Sequence, residues 1–458
     1  MRMRIAGCPT AGYGAGVMTT THKESIALIH GGRLIDPARG IDVIADIGIR
    51  DSKIVGAADA ETRNGAEIDA TGLIVCPGLI DMHVHLREPG FEYKETIETG
   101  CRAAVAGGFT AVACMPNTKP PIDTPEIVAY ILRRARAVDL CRVYPIAAIT
   151  EGRRGERVVD MKVLMAAGAV AFSDDGDGVE REDVMRAAFE QAAGCGALLI
   201  QHCEFKRLSA GGVMHTGPTA KRLGLPGIDP RAEEEMIERD LDLLRQIVDL
   251  PLPFRERAGV RVPGPRYHVA HISTARSVEL VRQAKLAGLP VTTEVCPHHL
   301  VLTDEACATA DPNFKMHPPL RSAEDVAACV TGIVDGTIDC IVTDHAPHTD
   351  EEKALGFLKA PFGIIGLETA VGIAAKALVE TGKLGWPTLI DRMSSAPARV
   401  LGLPVPTLAI GQPFDVTLID ASTHWIVDPR RFESKCRNTP FGGERLRVRA
   451  IPVASKMP

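Results

Sequence analysis

An α/β chain folded as a TIM-like (β/α)8 barrel, with a small β domain formed by its N- and C-terminal segments, is the fold class these 458 residues predict. Three observations carry it. Eight short apolar runs alternate with helical stretches through the middle of the chain. The two ends have strand-and-turn character instead. Nearly every apolar run of the middle stops at a residue able to bind a metal or a carboxylate. Length agrees, since a barrel takes about 250 residues and leaves room for a smaller partner.

The small β domain is expected from residues 25–75 plus 400–458. SIALIHGGRLID, DIGIRDSKIVGAAD and AEIDATGLIV are short apolar runs punctuated by Gly, Asp and Asn, and FDVTLIDAS, THWIVD and RLRVRAIPV look the same. Residues 76–399 predict the barrel. Its strand candidates are GLIDMHVH, FTAVACMPN, RVYPIAAIT, GAVAFSDDG, ALLIQHCE, RYHVAHIST, PVTTEVCPHH and DCIVTDHAPH. Segments such as TIETGCRAAVAGG, TPEIVAYILRRARAV and ARSVELVRQAKLAGL lie between them, with apolar residues at helical spacing and several closing glycines. Near-continuously apolar strands alternating with helices imply a parallel sheet covered by helices. A doubly wound open sheet is the competing arrangement, but no GxGxxG follows any strand. Residues 206–233 interrupt the alternation ahead of a helical EEEMIERDLDLLRQIV, and the Pro- and Arg-rich stretch 251–265 reads as a surface insertion. Residues 1–24 read as a disordered lead, and Met18 is an alternative start.

Composition narrows the function classes. With 52 basic against 58 acidic residues and no basic stripe, nucleic acid is not an expected partner. No apolar run approaches the roughly 18 residues of a membrane span. Twelve cysteines stand singly without a CxxC pair, which points to a reduced cytoplasm rather than a disulfide framework.

The chemistry sits at the strand ends. In LIDMHVHLREPG, His83 and His85 are two residues apart, so an extended chain turns both imidazoles to one face. Asn117, Asp174-Asp175, His202, His271 and Asp344 end later strands, and His348 follows Asp344 by four residues. C-terminal strand ends of a barrel converge on one mouth, where active sites sit. Six His and Asp ligands (His83, His85, Asp175, His202, His271 and Asp344) without thiolates suit zinc, manganese or cobalt. They are too many for one tetrahedral ion with an open position and suit two ions sharing a carboxylate. Arg87 offers a planar fork of donors for a substrate carboxylate. The remaining groups have plainer roles. Asp174 is expected to cap the next helix, His345 to point away from the mouth, Cys203 to pack, and His298 and His299 to hydrogen-bond around the ligands.

The motifs DMHVHLREPG, ACMPNTKPPID, FSDDG, HCE, HVAHIST, EVCPHHL, DPNFKMHPPLR, GTIDCIVTDHAPH and APFGIIGLETA together resemble class I dihydroorotases of the amidohydrolase superfamily, over roughly residues 25–455. The resemblance implies a zinc enzyme with one or two ions, a binuclear site being bridged by Asp175 and a hydroxide. Asp344 would be both a ligand and the proton shuttle. Arg87, Asn117 and His348 would hold the substrate carboxylate, and Phe362 and Gly363 would line the pocket through their backbone. The implied reaction interconverts N-carbamoyl-L-aspartate and L-dihydroorotate in de novo pyrimidine (UMP) biosynthesis. A homodimer and an association with aspartate carbamoyltransferase are both compatible with it.

His317 departs from the pattern, because the family usually has Asn in that segment; it is carried over as a substrate contact of altered shape and charge. The stretch 251–265 and the lead are also extra. Two alternatives stand beside the resemblance. Allantoinases and hydantoinases typically bridge their metals with a carbamylated lysine, whereas AFSDDG offers no lysine. A non-catalytic partner of aspartate carbamoyltransferase would have lost ligands, whereas all six positions are filled here. The segment 349–360, between Asp344 and APFG, reads equally as a mobile lid or a solvated turn.

Overall fold

Eight parallel strands in chain order line the centre of the computed structural model, which describes residues 2–4, 26–60, 65–248, 256–257, 260–261 and 264–453. They are β1 (Leu79–Val84), β2 (Phe109–Cys114), β3 (Arg142–Ala147), β4 (Ala171–Phe172), β5 (Leu198–Gln201), β6 (Arg266–Val269), β7 (Val291–Val295) and β8 (Cys340–Ile341). Each pairs in parallel with the next. The ring closes where Val84 bridges His345 and the His85 amide donates to the His345 carbonyl at 2.9 Å. The strand expected from GAVAFSDDG is paired over two residues only, and the rest of that stretch is already turning.

The strands read as continuously apolar because both faces are buried. On β5, Leu198 and Ile200 join Met82, Ala113, Ile146 and Cys340 in the barrel lumen, while Leu199 packs outward against the helix layer. The helices start and stop on local signals. Thr274 accepts from the Ser277 amide ahead of Ala275–Leu286, and Ser322 forms a capping box ahead of Ala323–Asp335, which ends at Gly336 in the left-handed region. Replacing such a cap by Ala costs about 1 kcal/mol. Helix Ser395–Leu401 plugs the N-terminal end of the barrel, with Ala396, Val400 and Leu401 reaching the lumen.

A second eight-stranded sheet draws on both ends of the chain. Ile26–Asp36, Ile41–Arg50, Lys53–Val55, Ala66–Asp69 and Leu73–Pro77 pair among themselves, Val416–Asp420 adds an antiparallel strand beside Leu73–Pro77, and Arg449–Ile451 pairs antiparallel on its outer side. Gly78 joins this sheet to β1. Its amide donates to the Asp415 carbonyl, and a Cβ there would collide with Thr110 and Asp415. Arg2–Arg4 pairs with Glu67–Asp69; otherwise the expected lead lies outside the described residues.

Not all of the C-terminal segment stays with that sheet. Ser434 and the Lys435 amide donate to the buried Glu95 carboxylate, and Asn438 reaches the mouth of the barrel. The interruption after β5 is itself folded: Met214–His215 pairs in parallel with Gly227–Ile228, and helix Arg231–Val248 follows. Within 251–265, Glu256–Arg257 and Val260–Arg261 pair antiparallel, and most of the rest lies outside the described residues. Among the described residues no helix is long and apolar enough to cross a membrane.

Candidate active site

The pairing of β1 with β2 slips between Asp81 and Val84, a bulge of the kind that re-aims side chains at a strand end. Both imidazoles then face the Asp175 carboxylate, His83 Nε2 at 3.3 Å from Oδ1 and His85 Nε2 at 3.5 Å from Oδ2. From the far side His202 Nδ1 and His271 Nε2 approach Oδ1 at 3.6 and 3.5 Å. Asp344 Oδ1 stands 2.9 Å from His85 Nε2 and 3.6 Å from His83 Nε2. All six are buried. The mouth therefore brings together every sequence-predicted ligand.

Acceptors behind the rings fix three tautomers. His83 Nδ1–H donates to Glu294 Oε1 at 2.6 Å, His85 Nδ1–H to Asn117 Oδ1 at 2.8 Å, and His202 Nε2–H to Glu204 Oε2 at 3.3 Å. Each turns its other ring nitrogen toward Asp175 or Asp344, which is how second partners orient histidine ligands. Burial opposes charge on Asp175, yet His83, His202 and His271 hold its pKa well below the usual carboxylate value. Burial likewise opposes ionisation of Asp344, but His85 and His83 prevail and lower its pKa.

The residues fit divalent cations. His83 Nε2 and Asp175 Oδ1 are buried and have no hydrogen-bond partner, the signature of atoms reserved for another bond. Two groups, His83–His85–Asp175 and Asp175–His202–His271, each gather ligand atoms within 4.8 Å and share the carboxylate of Asp175. Nitrogen and oxygen donors of this kind suit zinc and its neighbours.

The opposite wall is cationic. Arg87, φ 60°, is buried, its Nε donating to the Pro347 carbonyl and Nη2 lying 3.3 Å from His348 Nε2. Burial, then Arg87 and Lys94, drive the His348 pKa down, so its ring is neutral. Glu352 Oε2 lies 3.4 Å from His348 Nδ1, and Glu352 Oε1 pairs with Lys94 at 2.8 Å. Lys94 Nζ lies 3.2 Å from the same Nδ1, so the neutral ring sits between two cationic donors, Arg87 and Lys94. Arg87, His271 (φ 27°) and Asp344 (φ 48°) all occupy left-handed backbone conformations that cost a non-glycine residue energy, a strain that gathers at working sites.

His317 stands at the rim. Its Nε2 is 2.8 Å from Glu204 Oε2, its ring stacks on His202 with centroids 5.3 Å apart, and its other face meets Phe362 edge-on at 4.7 Å. Gly363, φ 122°, is packed so closely to Ala346 and His348 that a Cβ would collide. The segment 349–360 is tied down rather than loose: Lys353, buried, donates to the carbonyls of Pro312, Lys315 and Pro361. Those three ties and a capping box at Thr349 hold the segment against the neighbouring loops.

Some roles differ from the sequence expectation. Asp174 caps no helix; it accepts from the amides of Ile149 and Thr150, because the chain after β4 turns back over the end of β3. Asn117 is occupied through Oδ1 by His85. His345 does point away, toward Glu95 at 3.4 Å. His299 donates to the Pro318 carbonyl rather than to a ligand. Four contributors escaped the sequence reading: Glu294, Glu204, Lys94 and Asn438. Glu294 alone left a signal, a carboxylate inside the apolar strand VTTEV. Asn438 links two site loops, accepting from the His348 amide and donating to the carbonyls of Ala346 and Gly363.

A family described as dihydro-orotase-like matches residues 72–248. A dihydroorotase of Pelotomaculum thermopropionicum is 50% identical over 421 residues, covering 92% of this chain and 95% of the relative. One from Anaeromyxobacter dehalogenans (strain 2CP-C) is 48% identical over 427 residues, with 92% and 95% covered. Among solved structures, the L-hydantoinase (dihydropyrimidinase) of Arthrobacter aurescens superposes with a TM-score of 0.78 at 25% identity over 93% of each chain. The dihydropyrimidinase of Brevibacillus agri, at 22% identity and a TM-score of 0.76 over 93% of this chain and 92% of its own, shares the fold.

Proposed function

The chain belongs to the dihydroorotase family, and from that premise we propose that it interconverts N-carbamoyl-L-aspartate and L-dihydroorotate, with His83, His85, Asp175, His202, His271 and Asp344 holding zinc and Asp344 moving the proton. The observation that carries the proposal is the division of one mouth into a His/Asp wall and an arginine wall. A cyclic amide bearing a carboxylate needs both.

Bound zinc would polarise the amide carbonyl and lower the pKa of the attacking water. The chain's own groups do the rest. In ring opening, Asp344, ionised beside His85, takes the proton of the attacking water and returns it to the departing ring nitrogen, acting as base and then acid. In ring closure the same carboxylate works in reverse. Arg87 holds the substrate carboxylate through its fork, and His348 orients that fork by accepting one of its N–H groups. Asn117, anchored to His85 through Oδ1, keeps its amide N–H groups for the substrate. Phe362 and Gly363 close the pocket, and His317, held by Glu204, meets the substrate at the rim. Asp175 in place of a carbamylated lysine favours this substrate over hydantoins.

A cytoplasmic setting, and an assembly as a homodimer or with aspartate carbamoyltransferase, belong to the same proposal. The test is turnover in both directions with metal content measured on the same sample. Chelation should remove activity and metal together, and zinc should restore both. Full activity in metal-free protein would overturn the assignment.

A further inference from the structure

The end of the barrel away from the catalytic mouth holds a cavity of about 310 Å³. Arg266, the first residue of β6, opens into it beside Thr292 at the start of β7 and Asp339 just before β8. Helices Trp386–Met393 and Ser395–Leu401 bring Arg392 and Arg399 to the same space. The ligand histidines lie at the other ends of these strands.

The charges in the cavity do not balance. Arg266 donates to the carbonyls of Arg399 and Val400 and forms no ion pair among the described residues. Arg399 takes the Asp391 carboxylate, its Nη2 at 2.9 and 3.0 Å from the two oxygens. Arg392 is left with a long 3.7 Å approach to that same carboxylate, and its Nε is buried with no hydrogen-bond partner. Asp339 is already committed, accepting from Lys285 at 2.6 Å and from the Thr293 amide at 2.8 Å. Three guanidinium groups and one carboxylate, that of Asp339, thus line the cavity, with Asp391 paired to Arg399 beside it. Guanidinium groups that line a pocket with excess positive charge are completed by an acceptor that carries negative charge.

We propose that this cavity, lined by Arg266, Arg392 and Arg399, is a binding site for a small multiply charged oxyanion, a phosphoryl or dicarboxylate group, distinct from the catalytic mouth. Its volume lies at the small end of the range for ligand pockets, roughly 300–1,000 Å³, which admits a compact anion and rejects a dinucleotide. Planar guanidinium groups pair with both phosphate and carboxylate in two-pronged fashion, so the residues define the charge class and the arms of the test separate the two groups.

The experiment is titration calorimetry on the full-length, zinc-loaded enzyme with inorganic phosphate and, separately, malonate, at constant ionic strength. Saturable binding of at least one is expected. It should weaken about tenfold or more in Arg392→Gln and in Arg399→Gln, each losing a charge-assisted partner. It should persist in Arg87→Met, which disables anion binding at the mouth. Phosphate alone binding assigns a phosphoryl ligand, and malonate alone a dicarboxylate. Two results would overturn the proposal: equal affinity in Arg392→Gln, Arg399→Gln and the parent protein, or loss of binding in Arg87→Met.

Discussion

The two walls of the mouth are built in different ways. The proposed metal-binding wall comes from strand ends: His83 within β1 and His85 just after it, Asp175 after β4, His202 after β5, His271 after β6 and Asp344 after β8. The substrate wall comes from loops that hold one another. Arg87 leans on His348, His348 on Glu352, and Asn438, far along the chain, ties the loops of Ala346 and Gly363 together. Residues placed by strands inherit their position from a ladder shared with the whole barrel. Residues placed by loops depend on a few hydrogen bonds, so the second wall should be easier to disturb without unfolding the protein.

Asp344→Asn attacks the first wall at its chemistry. Turnover should fall about a thousandfold or more, with circular dichroism unchanged, because a group that moves the proton is lost while the barrel stands. Near-parent turnover would remove Asp344 from the proton path. Arg87→Met attacks the second wall at its charge. KM for dihydroorotate should rise about 10- to 100-fold, the value of a charge-assisted pair, while an uncharged cyclic imide should be much less affected. Equal losses on both substrates would separate Arg87 from carboxylate binding.

Asn438→Ala probes how the loops are held. Three hydrogen bonds at a buried side chain disappear, so stability should drop by about 2–4 kcal/mol, with kcat/KM falling and metal content unchanged. A loss of metal in this variant would mean that the two walls are not separable.

The smallest effect concerns Glu368, whose carboxylate accepts from the amides of Glu433 and Ser434 and secures the segment that carries Asn438. Burial raises its pKa to about 8. In the unfolded chain the group ionises near the ordinary value of about 4.3. Folding is therefore unaffected by it well below that value and progressively penalised as pH climbs toward 8. Glu368→Gln should melt with the parent at low pH and above it near pH 8.5. A constant difference across that interval would exclude the buried carboxyl as the cause.

The contrast between the walls also explains what could be read in the sequence. Period-two geometry and the barrel rule place His202 and Asp344 at one mouth without any coordinates, because a strand end is defined by its own few residues. Lys94 and Asn438 have no such grammar. Nothing in YKET announces a partner 254 residues away, nor anything in RNTP partners 75 to 92 residues away, and the pairing of Ser434 with Glu95 follows only from the finished packing. Asp174 was misjudged for a related reason. SDDGDG has the composition of a cap, but its acceptor atoms are used by the neighbouring strand's loop. The small sheet was legible in its alternation and turns, whereas the departure of 434–438 from it was not.

The closing seam of the barrel, where the His85 amide meets the His345 carbonyl, lies between the ligands at the two ends of the strand series. A chain leaving the ribosome therefore exposes its first histidine pair some 260 residues before the aspartate that faces it. Until the ring shuts, the proposed set of six ligands lacks Asp344, the residue that faces the first histidine pair. The seam thus makes the full proposed site, proton-moving carboxylate included, a property of a barrel completed as far as β8.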